Sequence, residues 1–465
     1  MGSRLATAAF NYGLFWALSR LVPTETLGGF SLLMNIFLMV QLLPLLGLTT
    51  PLIRRIATLP EESPVEITNA FAFAAPVSIL LASMVGLWGT FTYDKEMSIA
   101  FWLVAASMLP TGWTTVAEAA LVGKEQVAVV ARVNFIESLL RTIFAVASIW
   151  LGHGLIGVFT VFFILRILAA SLYAAHSSIS FPRLRLWSWK LQKRNWAEVP
   201  VFFSIALVAA LASRLDIITL SHFRGLHDVA LYSASSRLYD AAQIIPTVLA
   251  LVVLPTLARQ FISARHQFSI TLGLSVKISL IIGLGAALFT ASFAQPIINL
   301  LYPPDIADSA PVLQWLIFAA IITTVDVVLS STMLAASAQR HDLHSLSCGL
   351  LVLVLSLAVL GPRFGPVGAA AAVVLGLCAR VCMRLRWAIR ELGLAAPWLQ
   401  LLKLAIAVTV GIAAMKTTMP HGALVSAIAA LGSYVLAVIA MGTLGRHPLK
   451  ELRDDILILT SRTQS

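Results

Sequence analysis

The feature that most restricts this chain is a succession of apolar runs, each about as long as a bilayer is thick, separated by short polar breaks. A helix crossing the hydrocarbon core needs about 20 largely apolar residues. Runs ended by Pro, Gly or charge clusters predict fourteen spans, at 4–22, 29–50, 67–92, 98–121, 133–152, 156–178, 198–220, 231–257, 271–293, 310–336, 346–361, 367–390, 398–418 and 422–444. The expected fold is therefore an all-α polytopic membrane protein with about fourteen transmembrane helices. The third and tenth runs are long and the eleventh short, so tilt or interruption is expected there. Composition agrees: 59% of the residues are hydrophobic and 11% charged, whereas soluble domains carry charge at about 25% of positions. Cys348, Cys378 and Cys382 lie in apolar stretches without ligand spacing. They predict neither a disulfide framework nor a zinc module, and no cofactor or metal is expected.

Charge placement predicts orientation. With the amino terminus inside, 21 Lys and Arg residues fall on the inner side and four, Lys95, Arg224, Arg363 and Lys416, on the outer. Basic residues concentrate in cytoplasmic loops, so both termini are expected in the cytoplasm. The formal charge of +11 is then mostly topological, and nucleic acid is not an expected partner. The first run starts almost at Met1 without a small-residue cleavage site, so no removable signal is expected. The longest inner connection, FPRLRLWSWKLQKRNW at 181–196, mixes basic residues with Trp187, Trp189 and Trp196. That composition suits an amphipathic segment lying on an anionic leaflet.

An internal repeat divides the chain. Phe30, Ser31, Gln41 and Pro44 recur as Tyr232, Ser233, Gln243 and Pro246 at a constant offset of 202, and GLIG at 154–157 recurs as GPVG at 365–368. Both matches pair spans six apart. The predicted organisation is a six-helix lobe at 1–180, an amphipathic linker at 181–197, a second six-helix lobe at 198–392, two further spans within 393–445 and a cytoplasmic tail at 446–465. An even number of spans per lobe gives both lobes one orientation. Pro44 and Pro246 each remove a backbone donor and bend their helices, so they are candidate hinges.

Seven basic residues lie within or at the edge of spans: Arg20, Arg141, Arg166, Arg214, Arg237, Lys277 and Arg380. A charge at the bilayer centre costs about 2.5–3.5 kcal/mol and normally meets a partner or a wet cavity. Glu137 with Arg141 and Arg237 with Asp240 have spacings that share a helix face, so pairing within the helix explains them as well as a binding role does. Arg214 and Asp216, two apart, do not share a face. Arg20, Arg166, Lys277 and Arg380 have no opposite charge at helical spacing and point to a cavity, although Arg20 is near enough to an outer end to snorkel. Arg54 and Arg259 add charge at the inner ends. Such an interior suits an anionic head group, since guanidinium grips phosphate oxygens in pairs. Asp326 and Glu118 are lone acids on the tenth and fourth runs, each either a proton or sodium site or a hydrogen-bonded packing residue.

No Walker A loop, HExxH, nucleophile elbow or paired catalytic carboxylates occur, so neither direct ATP use nor enzymatic chemistry is expected. Several stretches carry a family likeness: YGLFWALSRLVPTETLGGFSLL, LLPLLGLTTPLIRR, SRLDIITLSHFRGLHDVALYSASSRL, PTVLALVVLPTLAR and LLYPPDIADSAPVLQWL. Together they resemble the polysaccharide transporter family (Wzx-like O-antigen or exopolysaccharide flippases) of the multidrug/oligosaccharidyl-lipid/polysaccharide exporter superfamily. The resemblance implies a V-shaped pair of lobes in the inner membrane. It further implies a flippase that turns polyprenyl-diphosphate-linked oligosaccharide between leaflets and works beside a polysaccharide polymerase and glycosyltransferases. Matching positions for a diphosphate-holding cavity are Arg20, Arg54, Arg55, Arg214, Asp216, Arg237 and Arg259. Rival readings are a cation-coupled multidrug exporter of the same superfamily and a membrane polysaccharide polymerase or ligase; the second usually needs a large outer loop, which the sequence lacks.

Overall fold

The computed structural model describes residues 2–442 apart from 178, 180, 244–259, 262–264, 337 and 394–397. The described residues are almost wholly helical, with no strand among them. By compactness the chain divides into two units, Met1–Ala230 and Leu231–Ser465. The predicted tail at 446–465 lies outside the described residues, as do Arg259 and Pro246.

The first unit contains α1 (Gly2–Leu21), α2 (Thr24–Val40), α3 (Thr49–Thr58), α4 (Ser63–Thr92), α5 (Lys95–Gly123), α6 (Val127–Trp150), α7 (Gly154–Ala174) and α8 (Trp189–Arg224). α9 (Leu226–Ala242) follows. α5 is the central helix, packed on α4, α7 and α3, while α6 lies between α7 and α1, and α2 packs on α8. Leu52, Ile56, Phe73, Trp113, Val116 and Tyr173 form the apolar core where α3, α4, α5 and α7 meet. Coverage is uneven: 61% of the apolar stretch of α5 is buried, but only 11% of that of α8.

The second predicted span is broken rather than bent. α2 stops at Val40, four residues before Pro44, and the chain passes through tight turns, Leu43 N–H to Val40 O, Leu46 N–H to Leu43 O and Leu48 N–H to Leu45 O, before α3 begins. Leu46 and Gly47 have φ of 45° and 82°, a region that only glycine adopts freely. Gly47 is doubly required, because a Cβ there would overlap the Phe202 carbonyl of α8. Non-helical backbone at membrane depth is tolerated only where protein or a wet cavity surrounds it.

In the second unit, α10 (Arg265–Ser292) bends by 59° into the short α11 (Ala294–Leu301). α12 (Ala310–Ala335), α13 (Gln339–Leu392), α14 (Trp398–Thr418) and α15 (Ala423–Ala440) complete it. α13 is 54 residues long but reverses at Gly365 (φ 55°, ψ −133°), with Pro366 next. The arms 339–364 and 366–392 run back against each other: a Cβ on Gly349 would lie 2.9 Å from both the Gly376 carbonyl and the Arg380 Cβ. Small residues let helix backbones approach this closely.

Among the described residues eight helices are long and apolar enough to span a bilayer, or nine if the bent pair counts as one span. This multi-pass count is below the fourteen predicted. α13 holds two predicted runs, the second run is broken, and the eighth runs into residues that are not described. α2 and α9 are both 17 residues long, start and end 202 positions apart, and stop directly before Gln41 and Gln243. The linker is not a separate element throughout: residues from Trp189 onward are already helical and continue unbroken into α8.

Candidate functional site

In the first unit Arg166, one of the charges predicted inside the membrane, reaches the break after α2. Arg166 is the one charged residue of α7. Its guanidinium lies 3.3 Å from Glu137 Oε2 of α6 and donates over 3.3 Å to Gln41 Oε1, the first residue past α2. It also lies 5.0 Å from the centre of the Phe37 ring and 6.0 Å from that of Phe162. Arg141 of α6 shares Phe162, at 5.6 Å, and donates to Asn11 Oδ1 of α1. Cations over aromatic faces gain attraction when water is excluded. Glu118 of α5 accepts a 3.2 Å hydrogen bond from the Tyr173 hydroxyl of α7. Five helices thus contribute to one cluster, and because α2 ends where it does, a side chain from the broken span can join it.

At the inner end predicted from charge placement, Arg55 of α3 is engaged by α8 and α4. It donates to Asn195 Oδ1 (2.9 Å) and Glu198 and lies 3.7 Å from Glu66, which also binds Arg194. Arg54 beside it is exposed. Arg20 is exposed on α1, with its guanidinium 4.7 Å from the centre of the Trp16 ring. Arg214 and Asp216 are half-exposed on α8, where Asp216 Oδ1 accepts from the Ile217 N–H at 2.9 Å. Arg237 and Asp240 of α9 are half-exposed, and Lys277 of α10 is half-buried.

The second unit has its own cluster. Asp326 of α12 lies 2.6 Å from Arg380 and 2.6 Å from Arg384, both on the returning arm of α13. Arg384 also donates to the Asp326 carbonyl and lies 2.7 Å from Asp342 on the outgoing arm. Neither the lone acid nor the arginine without a helical partner is isolated: each is the other's counterion across 54 residues. Arg384, one of the 21 basic residues that the sequence places on the inner side, is 2% exposed. Its spacing of four from Arg380, which puts both on one face, was the available signal. Among the described residues no three His, Cys, Asp or Glu side chains converge as a metal set.

Residues 1–261, more than half of the chain, match the family described as "Polysaccharide biosynthesis protein". The chain belongs to this family. No curated protein sequence gives a significant match. Among solved structures, the lipid II flippase MurJ in an inward closed conformation has a TM-score of 0.71 at 14% identity, covering 95% of this chain and 98% of that one. A multidrug resistance transporter of the MATE family in an inward-facing conformation has a TM-score of 0.65 at 14% identity, covering 83% and 94%. A transporter of the MOP superfamily from Pyrococcus furiosus has a TM-score of 0.57 at 14% identity, covering 84% and 93%. At these identities the likeness is one of fold: this member of the polysaccharide biosynthesis family shares the fold of these transporters.

Proposed function

We propose that the chain is a flippase that moves polyprenyl-diphosphate-linked oligosaccharide repeat units across the cytoplasmic membrane by alternating access, supplying O-antigen or exopolysaccharide assembly. The observation that carries this reading is α8. It is the least covered of the eight long apolar helices, 11% buried, yet it bears Arg214 and Asp216 part-way along, half-exposed and on different faces. Ionisable side chains part-way along a span meet a partner or a wet cavity, and the partial exposure of Arg214 and Asp216 supports an aqueous path along α8. Arg20 on α1 and Arg237 on α9 are further accessible cations of the same kind, and guanidinium pairs suit a diphosphate. Arg141, Arg166 and Arg55 tie helices of the first unit together, and Arg380 is held by Asp326 in the second. Family membership in polysaccharide biosynthesis supports the cargo class.

A cation-coupled multidrug exporter is the second reading, favoured by the likeness to a MATE transporter. Cationic side chains on accessible helix positions repel organic cations and favour the anionic cargo.

The test is leaflet assignment of labelled lipid-linked oligosaccharide in cells carrying wild type or the double variant Arg20→Gln, Arg237→Gln. Outer-leaflet label should fall by at least about tenfold, the loss of some 1.4 kcal/mol of binding or more, with protein level and insertion unchanged. Wild-type flipping by the double variant rules the cationic path out, and drug sensitivity without a lipid defect supports the exporter.

A further inference from the structure

The basic, tryptophan-rich connection carries an arrangement that its composition alone does not show. Thr68 and Asn69, buried near the start of α4, clasp it. The Arg183 N–H donates to Thr68 Oγ1 (3.2 Å), Asn69 Nδ2 donates to the Leu186 carbonyl (3.0 Å), the Ser188 N–H donates to Asn69 Oδ1 (2.9 Å), and Gln192 Nε2 donates to the Asn69 carbonyl (2.9 Å). Asn69 is 0% exposed. Arg194 is tied to Glu66, and Trp196 packs edge-on against Phe73, ring centres 5.0 Å apart.

The clasp sorts the side chains. Along the strap Phe181, Arg183, Arg185, Trp187 and Trp189 are exposed at every second position; in the first turns of α8, Lys190, Lys193 and Trp196 are exposed while Gln192, Asn195 and Val199 are buried. Lys193 Nζ lies 6.0 Å over the Trp189 ring, whose centre is 6.0 Å from that of Trp187. Two cationic pairs, Arg183 with Arg185 and Lys190 with Lys193, therefore flank a pair of indoles, and residues 181–197 contain no acid.

We propose that this face is a prefolded docking surface for the anionic phospholipid headgroups of the adjoining leaflet, cytoplasmic by charge placement. Charge complementarity selects the occupant: basic residues next to a membrane are drawn to anionic lipid, and indoles settle at headgroup depth. Because Asn69 holds the strap in place, little ordering entropy is lost on contact. This differs from an amphipathic helix that folds on the bilayer: the strap is largely non-helical until Trp189, and its exposed set is displayed by α4.

The full chain, purified in neutral detergent, is titrated with dioleoylphosphatidylglycerol and with dioleoylphosphatidylcholine, and retained lipid is counted by native mass spectrometry. Wild type should retain the anionic lipid at least about fivefold better at low salt, and the preference should shrink as salt screens it. The variant Arg183→Gln, Arg185→Gln, Lys190→Gln, Lys193→Gln should lose most of it. Asn69→Ala, which keeps every charge, should lower it. Wild type without a preference, a preference indifferent to salt, or one that survives the four substitutions overturns the proposal; full preference in Asn69→Ala overturns the prefolded part. Should the fourfold variant not insert, the wild-type salt series decides alone.

Discussion

The first unit sets a half-buried arginine among acids and neutral groups, whereas the second buries an acid between arginines. α5 and α12 hold the fourth and tenth predicted runs, and α7 and the returning arm of α13 the sixth and twelfth. Asp326 meets two guanidinium groups at 2.6 Å each, and Arg384 meets Asp342 at 2.7 Å. Two acids and two bases balance in direct contact. Arg166 instead meets Glu137 at 3.3 Å, a neutral amide at 3.3 Å and two aromatic faces, while Glu118 is held by a phenol. Attraction falls with distance, and N–H···O contacts beyond about 3.2 Å are weak. The second unit thus has an ion clamp fixing α12 to both arms of α13. The first has a looser set placed at the broken span.

The largest effect expected from this contrast is at Asp326. Asp326→Ala leaves the buried Arg384 and the half-buried Arg380 without their shared counterion, and breaking a buried pair in this way costs about 3–5 kcal/mol. Thermal unfolding of the full chain in detergent should show it as a large drop in Tm; a variant as stable as wild type removes the clamp. Arg166→Gln should cost less, about 1–3 kcal/mol, because its contacts are longer and an amide still satisfies Gln41. Equal losses in the two variants erase the distinction between the units.

These clusters mark how far the sequence was readable. Helix periodicity relates a residue to its own helix, so it offered Glu137 to Arg141, four apart, and left Arg166, Arg380 and Asp326 without partners. The structure brings Arg166 to Glu137 across 29 residues and Arg380 to Asp326 across 54, separations at which no periodic rule applies. At the predicted offset of 202, α2 and α9 end at equivalent residues, Val40 and Ala242. Pro44 signalled a disturbance but not its form. A proline bends a helix; the positive φ angles at Leu46 and Gly47 open it, and those follow from the turn and from the Phe202 carbonyl beside Gly47. The linker was misjudged in extent because Trp and Lys permit a helix as readily as an interfacial strap, and α8 had no breaker before Pro200, which it accommodates within its first turns.

The smallest effect separates a neutral hydrogen bond from an ion pair within the first unit. Tyr173 is fully buried and its hydroxyl donates to Glu118. Tyr173→Phe keeps the ring and its packing but withdraws that donor, so the loss is the net value of one hydrogen bond, about 1 kcal/mol. Combined with Arg166→Gln it forms a double-mutant cycle. Tyr173 and Arg166 lie on α7 and hydrogen-bond different carboxylates, Glu118 and Glu137, while Arg166 also acts on Glu118 through space, so costs within about 0.5 kcal/mol of additive would mark the contacts as separate. A coupling well above that value would mean that Glu118, Glu137 and Arg166 act as one charge network, as Asp326, Arg380, Arg384 and Asp342 do. The two units would then differ in distances alone and not in kind.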